Sequence, residues 1–141
     1  MIILREMDRS KEKEIALAIL NENNIVSKDV ENELIYIIAD NNCIFGLCKV
    51  GEKENYGVLE YIVISRYKRG FNYGEGLLRA TFNKMVSEKI DKIYFKKEDS
   101  YLLKKGFTKI DRNEIYDDYN LVCNLNNLFS QKCPGVGAIE L

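Results

Sequence analysis

The sequence predicts an α/β (α+β) fold, a mixed and mainly antiparallel twisted sheet of about six or seven strands flanked by about four helices. Three observations carry this. Apolar runs of strand length alternate with apolar patterns of 3.6-residue period from Ile2 to Leu125. Three central runs are separated only by Asp40-Asn41-Asn42 and by Gly51 to Asn55. Both gaps suit hairpins, so the centre of the chain reads as an antiparallel meander. The third run, Val58 to Ile64, leads through Arg69-Gly70-Phe71-Asn72-Tyr73-Gly74-Glu75-Gly76 into a helical pattern. That order is strand, glycine-rich turn, helix.

Element by element, Ile2-Ile3-Leu4 suits a first strand, and Asp8 or Ser10 offers the cap of a helix whose apolar positions are Ile15, Ala16, Ile19 and Leu20. Glu12 and Glu14 favour the positive end of that helix. Asn21 to Asn24 end it, and Val26 to Asn32 hold one more helical turn. Strands follow at Leu34 to Ala39, Cys43 to Val50 and Tyr56 to Ile64. After the glycine-rich turn, Leu77, Leu78, Thr81, Phe82, Met85 and Val86 mark one face of the longest helix. Ile93-Tyr94-Phe95 is a fifth strand. Asp99 or Ser100 caps a short helix over Tyr101 to Lys105, which Gly106 ends. Two last strands fall at Phe107 to Arg112 and Tyr119 to Leu125. Residues 1–125 form one domain and Asn126 to Leu141 a C-terminal tail, with no internal repeat.

At 141 residues, 46% of them hydrophobic and one of them proline, the chain fits a single compact domain. No stretch approaches the run of about 20 apolar residues that spans a bilayer, and Met1 to Glu6 lacks a signal-peptide layout. The expectation is a cytoplasmic protein that is not a membrane partner. A formal charge of −1 without a long basic block argues against nucleic acid as a partner. There is no histidine, and the four cysteines do not fall in the common zinc spacings, so no metal is expected. Cys43 and Cys48, five apart in a strand, point to opposite faces unless Gly46 marks a bulge. Reduced structural thiols are the favoured reading.

The glycine-rich turn can present several backbone N–H groups at the positive end of a helix dipole, which is an anion site whether or not basic side chains flank it. Lys68 and Arg69 flank it here. A Walker-type loop would end in Gly-Lys-Ser/Thr, whereas Gly76 is followed by Leu77-Leu78. A dinucleotide turn needs G-x-G-x-x-G, whereas these glycines stand at 70, 74 and 76. What remains, Arg69-x-x-Asn72-x-Gly74 followed two residues later by Leu77-Leu78, resembles the R/Q-x-x-G-x-G/A acetyl-CoA signature of the GNAT-type N-acetyltransferases. Tyr101-Leu102-Leu103-Lys104-Lys105-Gly106-Phe107 is similar to the family's second landmark, commonly Tyr-x-Lys-x-Gly-Phe, and the element order over residues 1–125 matches the family's fold. Asn72 replaces the first signature glycine and is suited to positive φ. Leu102 stands where many relatives carry the tyrosine that protonates the leaving thiolate, and Tyr101 lies one residue earlier.

The resemblance implies acetyl-CoA as co-substrate and an acetyl transfer to a primary amine of a small molecule or peptide. Its pantetheine amides would pair with backbone at Ile62 and Ile64, on either side of Val63, and a backbone N–H near Ile62 or Ile64 would hold the oxyanion. The turn from Gly70 through Phe71, Asn72, Tyr73 and Gly74 to Glu75 would hold the pyrophosphate, with Lys68 and Arg69 near its charge. An alkylammonium acceptor is only about one part in 10³ deprotonated at pH 7, so such an acceptor calls for a base. Glu60 is a lone charge within an apolar strand, on the face of Ile62 and Ile64 by period-2 alternation, and is the candidate. Tyr101 is the candidate acid, with a half-buried structural aromatic as its alternative. Cys48 or Cys123 as an acylated nucleophile lacks an adjacent base. A second reading is a non-catalytic acyl-CoA-binding or interaction module of the same fold. A third is a partner-binding domain that uses the tail in a homodimer or complex contact.

Overall fold

The computed structural model describes residues 1–26, 33–110 and 119–130. The chain divides into two compact units, Met1–Glu52 with Leu59–Lys84, and Lys53–Val58 with Met85 onward. In the first unit, β1 (Ile2–Glu6) pairs antiparallel with β2 (Leu34–Asp40), and β2 pairs antiparallel with β3 (Cys43–Glu52). Asn41 and Asn42 join β2 to β3 with φ of 50° and 70°, the left-handed pair that a two-residue hairpin matching strand twist requires. Asparagine tolerates this conformation better than most residues.

The β2–β3 register shifts within the ladder. Ile38 faces Gly46 and Ala39 faces Ile44, so Phe45 is left over as a bulge. Its carbonyl accepts the Ser65 N–H at 2.8 Å, just after β4 (Gly57–Ile64) ends. The bulge beside Gly46 meets the condition under which the two cysteines could share a face, yet Cys43 is exposed and Cys48 buried.

Helix α1 (Arg9–Glu22) starts at Asp8, whose carboxylate accepts the Ser10 N–H at 3.0 Å. Arg5 of β1 holds Glu12 in its first turn by two bonds of 2.9 and 2.6 Å. Ala16, Ile19 and Leu20 bury against Ile37, Leu47, Tyr61 and Val63. Ile15 is 48% exposed rather than part of this stripe, because it lies about 90° around the helix from the stripe's centre. The helical turn expected at Val26 to Asn32 falls mostly outside the described residues. Helix α2 (Tyr73–Ser87) buries Leu77, Leu78, Thr81, Phe82 and Met85, the face that its periodicity marks.

Cys48 of β3 bonds to Thr81 of α2, and burial pushes its thiol up to about 12. Such a thiol is not a nucleophile near neutral pH. The unfolded thiol ionises near pH 8.5 while the native one stays neutral, so this contribution to stability is complete below that pH and lost as pH rises toward 12. Urea unfolding should therefore show stability declining above pH 8.5 by up to about 1.4 kcal/mol per pH unit, and Cys48→Ala should flatten that decline.

In the second unit, Gly57 and Val58 of β4 pair parallel with Ile93 and Tyr94 of β5 (Lys92–Phe95). Strand β5 pairs antiparallel with β7 (Leu121–Asn124), and β7 with β6 (Thr108–Lys109). Helix α3 (Ser100–Lys104) is capped by Asp99, whose carboxylate accepts the Leu102 N–H at 3.0 Å. Gly106 follows with φ of 107°. Tyr94 packs against Tyr56 and Tyr119 at centroid distances of 5.2 and 5.5 Å. The last strand ends one residue before the sequence reading has it. Asn124 Oδ1 accepts the N–H groups of Asn126 and Asn127, which starts helix α4 (Leu125–Ser130) at Leu125. The expected sixth strand is realised only at Thr108–Lys109, and residues 111–118 lie outside the described part. Among the described residues, hydrogen bonding orders seven strands β1-β2-β3-β4-β5-β7-β6, the β4–β5 pair is parallel, and four helices complete the α/β class that the sequence predicts.

Candidate functional site

Between β4 and α2 the backbone makes three changes of direction. A single 3-10 turn, Arg66–Lys68, is closed by the Lys68 N–H to Ser65 O at 2.9 Å and followed by the Arg69 N–H to Arg66 O at 3.3 Å. Gly70 then takes φ of 90° and Asn72 φ of 61°. Asn72 therefore adopts the left-handed conformation that its place in the signature demands, at a strain that asparagine bears more easily than other side chains. Helix α2 begins at Tyr73, and the first N–H that finds a helical carbonyl is that of Gly76, bonded to Asn72 O at 3.3 Å. Among the described residues, no backbone acceptor takes the N–H groups of Gly70 to Gly74. These donors stand at the positive end of α2, where an anion is stabilised by the dipole as well as by hydrogen bonds.

The turn is supported from beneath by the bulge of β3. The Phe45 ring meets Tyr73 edge to face at 5.0 Å, and Tyr73 meets Phe71 at 5.8 Å. Phe71 itself is 64% exposed. Lys68 Nζ lies 5.2 Å over the Phe45 ring and 3.4 Å from Asp40 Oδ2. The Asp40 carboxyl is held below its ordinary range, chiefly by the terminal ammonium of Met1 and also by Lys68. Part of the Lys68 charge is thus used inside the protein.

Arg69 is placed differently. Its Nε donates to Ile64 O at 2.9 Å and its Nη2 to Asn23 Oδ1 at 2.6 Å. Both acceptors are neutral, and among the described residues no carboxylate pairs with this guanidinium. Sequence reasoning missed Asn23, Asp40 and Phe45 as supports of the turn. Their only sequence signals are local, a helix-ending asparagine, a hairpin aspartate and a strand aromatic.

Along β4, Val63 is buried in the core of the first unit, whereas Ile62 and Ile64 are half-buried and Glu60 is exposed. The register with β5 comprises Gly57 and Val58 only, so the candidate residues 60–64 lie past the end of that ladder. Two carboxylates approach the space where Gly51 carries no side chain. A side chain there would meet Glu33 Oε2 at 2.8 Å and Glu60 Oε2 at 3.7 Å. Lys49, 4% exposed, lies 3.7 Å from Glu33 Oε1. Among the described residues Glu33 Oε2 has no hydrogen-bond donor. The first unit therefore holds together the turn, its basic flank and β4 from Leu59 onward, Glu60 included.

Tyr101, in the second unit, is 39% exposed with the Lys105 ammonium 5.6 Å from its ring centroid. Leu102, in the place of the usual tyrosine, is buried at 2%. The one-residue displacement thus turns the phenol outward and the leucine into the core. Among the described residues no three histidine, cysteine or acidic side chains converge to hold a metal, and no helix is long and apolar enough to cross a membrane.

No family model and no curated protein sequence matches the chain. Its fold does match solved structures. A GNAT-family acetyltransferase of Staphylococcus aureus Mu50 is 22% identical with a TM-score of 0.70, over 89% of this chain and 99% of that one. A spermidine/spermine N-acetyltransferase of Vibrio cholerae is 14% identical with a TM-score of 0.72, over 93% and 98%. The N-acetylglutamate synthase of Neisseria gonorrhoeae, solved with coenzyme A and N-acetyl-glutamate, is 17% identical with a TM-score of 0.70, over 89% of this chain and 35% of that one. The chain therefore has the fold of the GNAT acetyltransferases.

Proposed function

We propose that the chain is an acetyl-CoA-dependent N-acetyltransferase that acts on a primary amine of a small molecule or peptide. The observation that carries this reading is that the N–H groups of Gly70 to Gly74, at the start of α2 and after the turn that follows β4, have no backbone acceptor among the described residues of a GNAT-like fold. The pyrophosphate of CoA binds these donors, with Arg69 beside it. The pantetheine amides pair with backbone of Ile62 and Ile64, where the Ile64 carbonyl is already oriented by Arg69. Coenzyme A bound to the Neisseria synthase supports the same ligand here.

In the reaction the acceptor ammonium gives a proton to Glu60, directly or through water, and the free amine nitrogen attacks the thioester carbonyl. A backbone N–H near Ile62 or Ile64 holds the oxyanion. The C–S bond then breaks, and the second proton on the nitrogen passes through water to the thiolate, which leaves as CoA-SH. Glu60→Gln should lower kcat/KM for an alkylamine about 100-fold at pH 7, with the deficit shrinking as pH rises toward the pKa of the amine. A rate equal to wild type across that range would remove Glu60 from the mechanism.

The buried Leu102 in place of a tyrosine favours one second reading, a module that binds acyl-CoA without turnover. A panel of acyl-CoA donors and amines, followed by release of free thiol, separates the two. The enzyme reading expects thiol release with at least one amine, and the binding-module reading expects none.

A further inference from the structure

We propose that Asn23, at the C-terminal end of α1, is a positioning residue for the CoA pyrophosphate, acting through Arg69 because it is a neutral acceptor. The inference rests on the function proposed above and adds a residue 46 positions away in sequence from the one it positions. Asn23 is fixed before it meets Arg69. It is the residue that ends α1, its N–H is bonded to Leu20 O at 3.1 Å, and its Nδ2 donates to Ile19 O at 2.8 Å. With the amide nitrogen so engaged, the amide oxygen has one direction left, and there it accepts Arg69 Nη2 at 2.6 Å.

The other side of the same guanidinium donates from Nε to Ile64 O at 2.9 Å. Two oxygens from two elements, the end of α1 and the end of β4, therefore fix the plane of Arg69 at the entrance to the turn. A guanidinium held by two neutral oxygens keeps its full charge for an incoming anion, whereas a carboxylate in either place would compensate it. Lys68 shows the contrast, since its ammonium is shared with Asp40. The Asn23–Arg69–Ile64 chain of bonds also connects the pyrophosphate turn to the strand whose backbone is proposed to hold pantetheine.

The test is a double-mutant cycle on the dissociation constant of CoA, read by calorimetry with melting temperatures recorded alongside. Asn23→Ala and Arg69→Met should each weaken CoA roughly tenfold, the size expected for loss of a bond to a charged group, and the double variant should weaken it no further. Arg69→Lys leaves Asn23 bonded to Ile19 and retains the charge, but a single ammonium cannot reach both oxygens, so it should lose about as much as Asn23→Ala. Asn23→Asp keeps an acceptor yet pairs the guanidinium with a carboxylate, and should also bind CoA more weakly than wild type.

Fully additive losses overturn the proposal, as does wild-type affinity in Asn23→Ala or Asn23→Asp. A purely structural Asn23 would lower the melting temperature and leave the CoA dissociation constant of the folded protein unchanged. Absence of CoA binding by the wild-type protein would instead overturn the function on which the proposal rests.

Discussion

Gly74→Glu is expected to abolish CoA binding while leaving the protein folded. Gly74 is the second residue of α2, inside the row of N–H groups that have no backbone acceptor among the described residues. A carboxylate there places negative charge where the pyrophosphate needs positive potential, and its atoms fill the space beside the donors. At the same time a glutamate in the first turn of a helix favours the dipole, and it replaces a glycine, which has poor helix propensity. Stability should therefore stay level or rise slightly while the CoA-induced rise in melting temperature disappears. A variant that still responds to CoA like wild type would place the cofactor elsewhere. Loss of binding accompanied by loss of folding would call for Gly74→Ala, which should fold and bind CoA measurably.

Gly46 is the position where substitution should cost the most stability. A β-carbon there would lie 2.6 Å from Ile38 Cγ2, 2.7 Å from Ile64 Cδ1 and 3.0 Å from the Val63 carbonyl. The Ile64 methyl can rotate aside. The Ile38 Cγ2 is tied to a stiff β-branched χ1, and the Val63 oxygen belongs to the backbone, so β3 and β4 must separate. Gly46→Ala should lower stability by about 1–3 kcal/mol, a drop in melting temperature of about 5–10 °C, and Gly46→Val should cost more. Because Ile64 O is the acceptor for Arg69, displacement of β4 should also weaken CoA binding by the surviving folded protein. An unchanged melting temperature for Gly46→Val would show that the strands accommodate the side chain, contrary to this packing.

Much of this was legible in the sequence for physical reasons that can be named. The periodicity of Leu77, Leu78, Thr81, Phe82 and Met85 specifies α2 because a helix buries one stripe, and all five are buried. The register Arg69-x-x-Asn72-x-Gly74 locates the turn because only certain residues accept φ above zero, and Gly70 and Asn72 both take it. Asp8 and Asp99 cap their helices as their side chains dictate.

The parts that were not legible depend on contacts distant in sequence. No local pattern says that Asn23 meets Arg69, that Phe45 bulges beneath Tyr73, or that Lys68 turns to Asp40. The end of β7 is not legible because Leu125 continues the apolar run, whereas the capping amide of Asn124 decides the boundary. Tyr101 is exposed while Leu102 is buried, as a displacement of one residue on a helix, about 100°, requires.

The central claim is that the turn before α2 is a CoA site, and the most direct measurement is titration of the full chain with CoA by calorimetry, paired with its melting temperature at saturating ligand. The expected result is one CoA per chain and a rise in melting temperature of about 5–10 °C at 100 times the dissociation constant, lost in Gly74→Glu. No heat and no shift at millimolar CoA would contradict it.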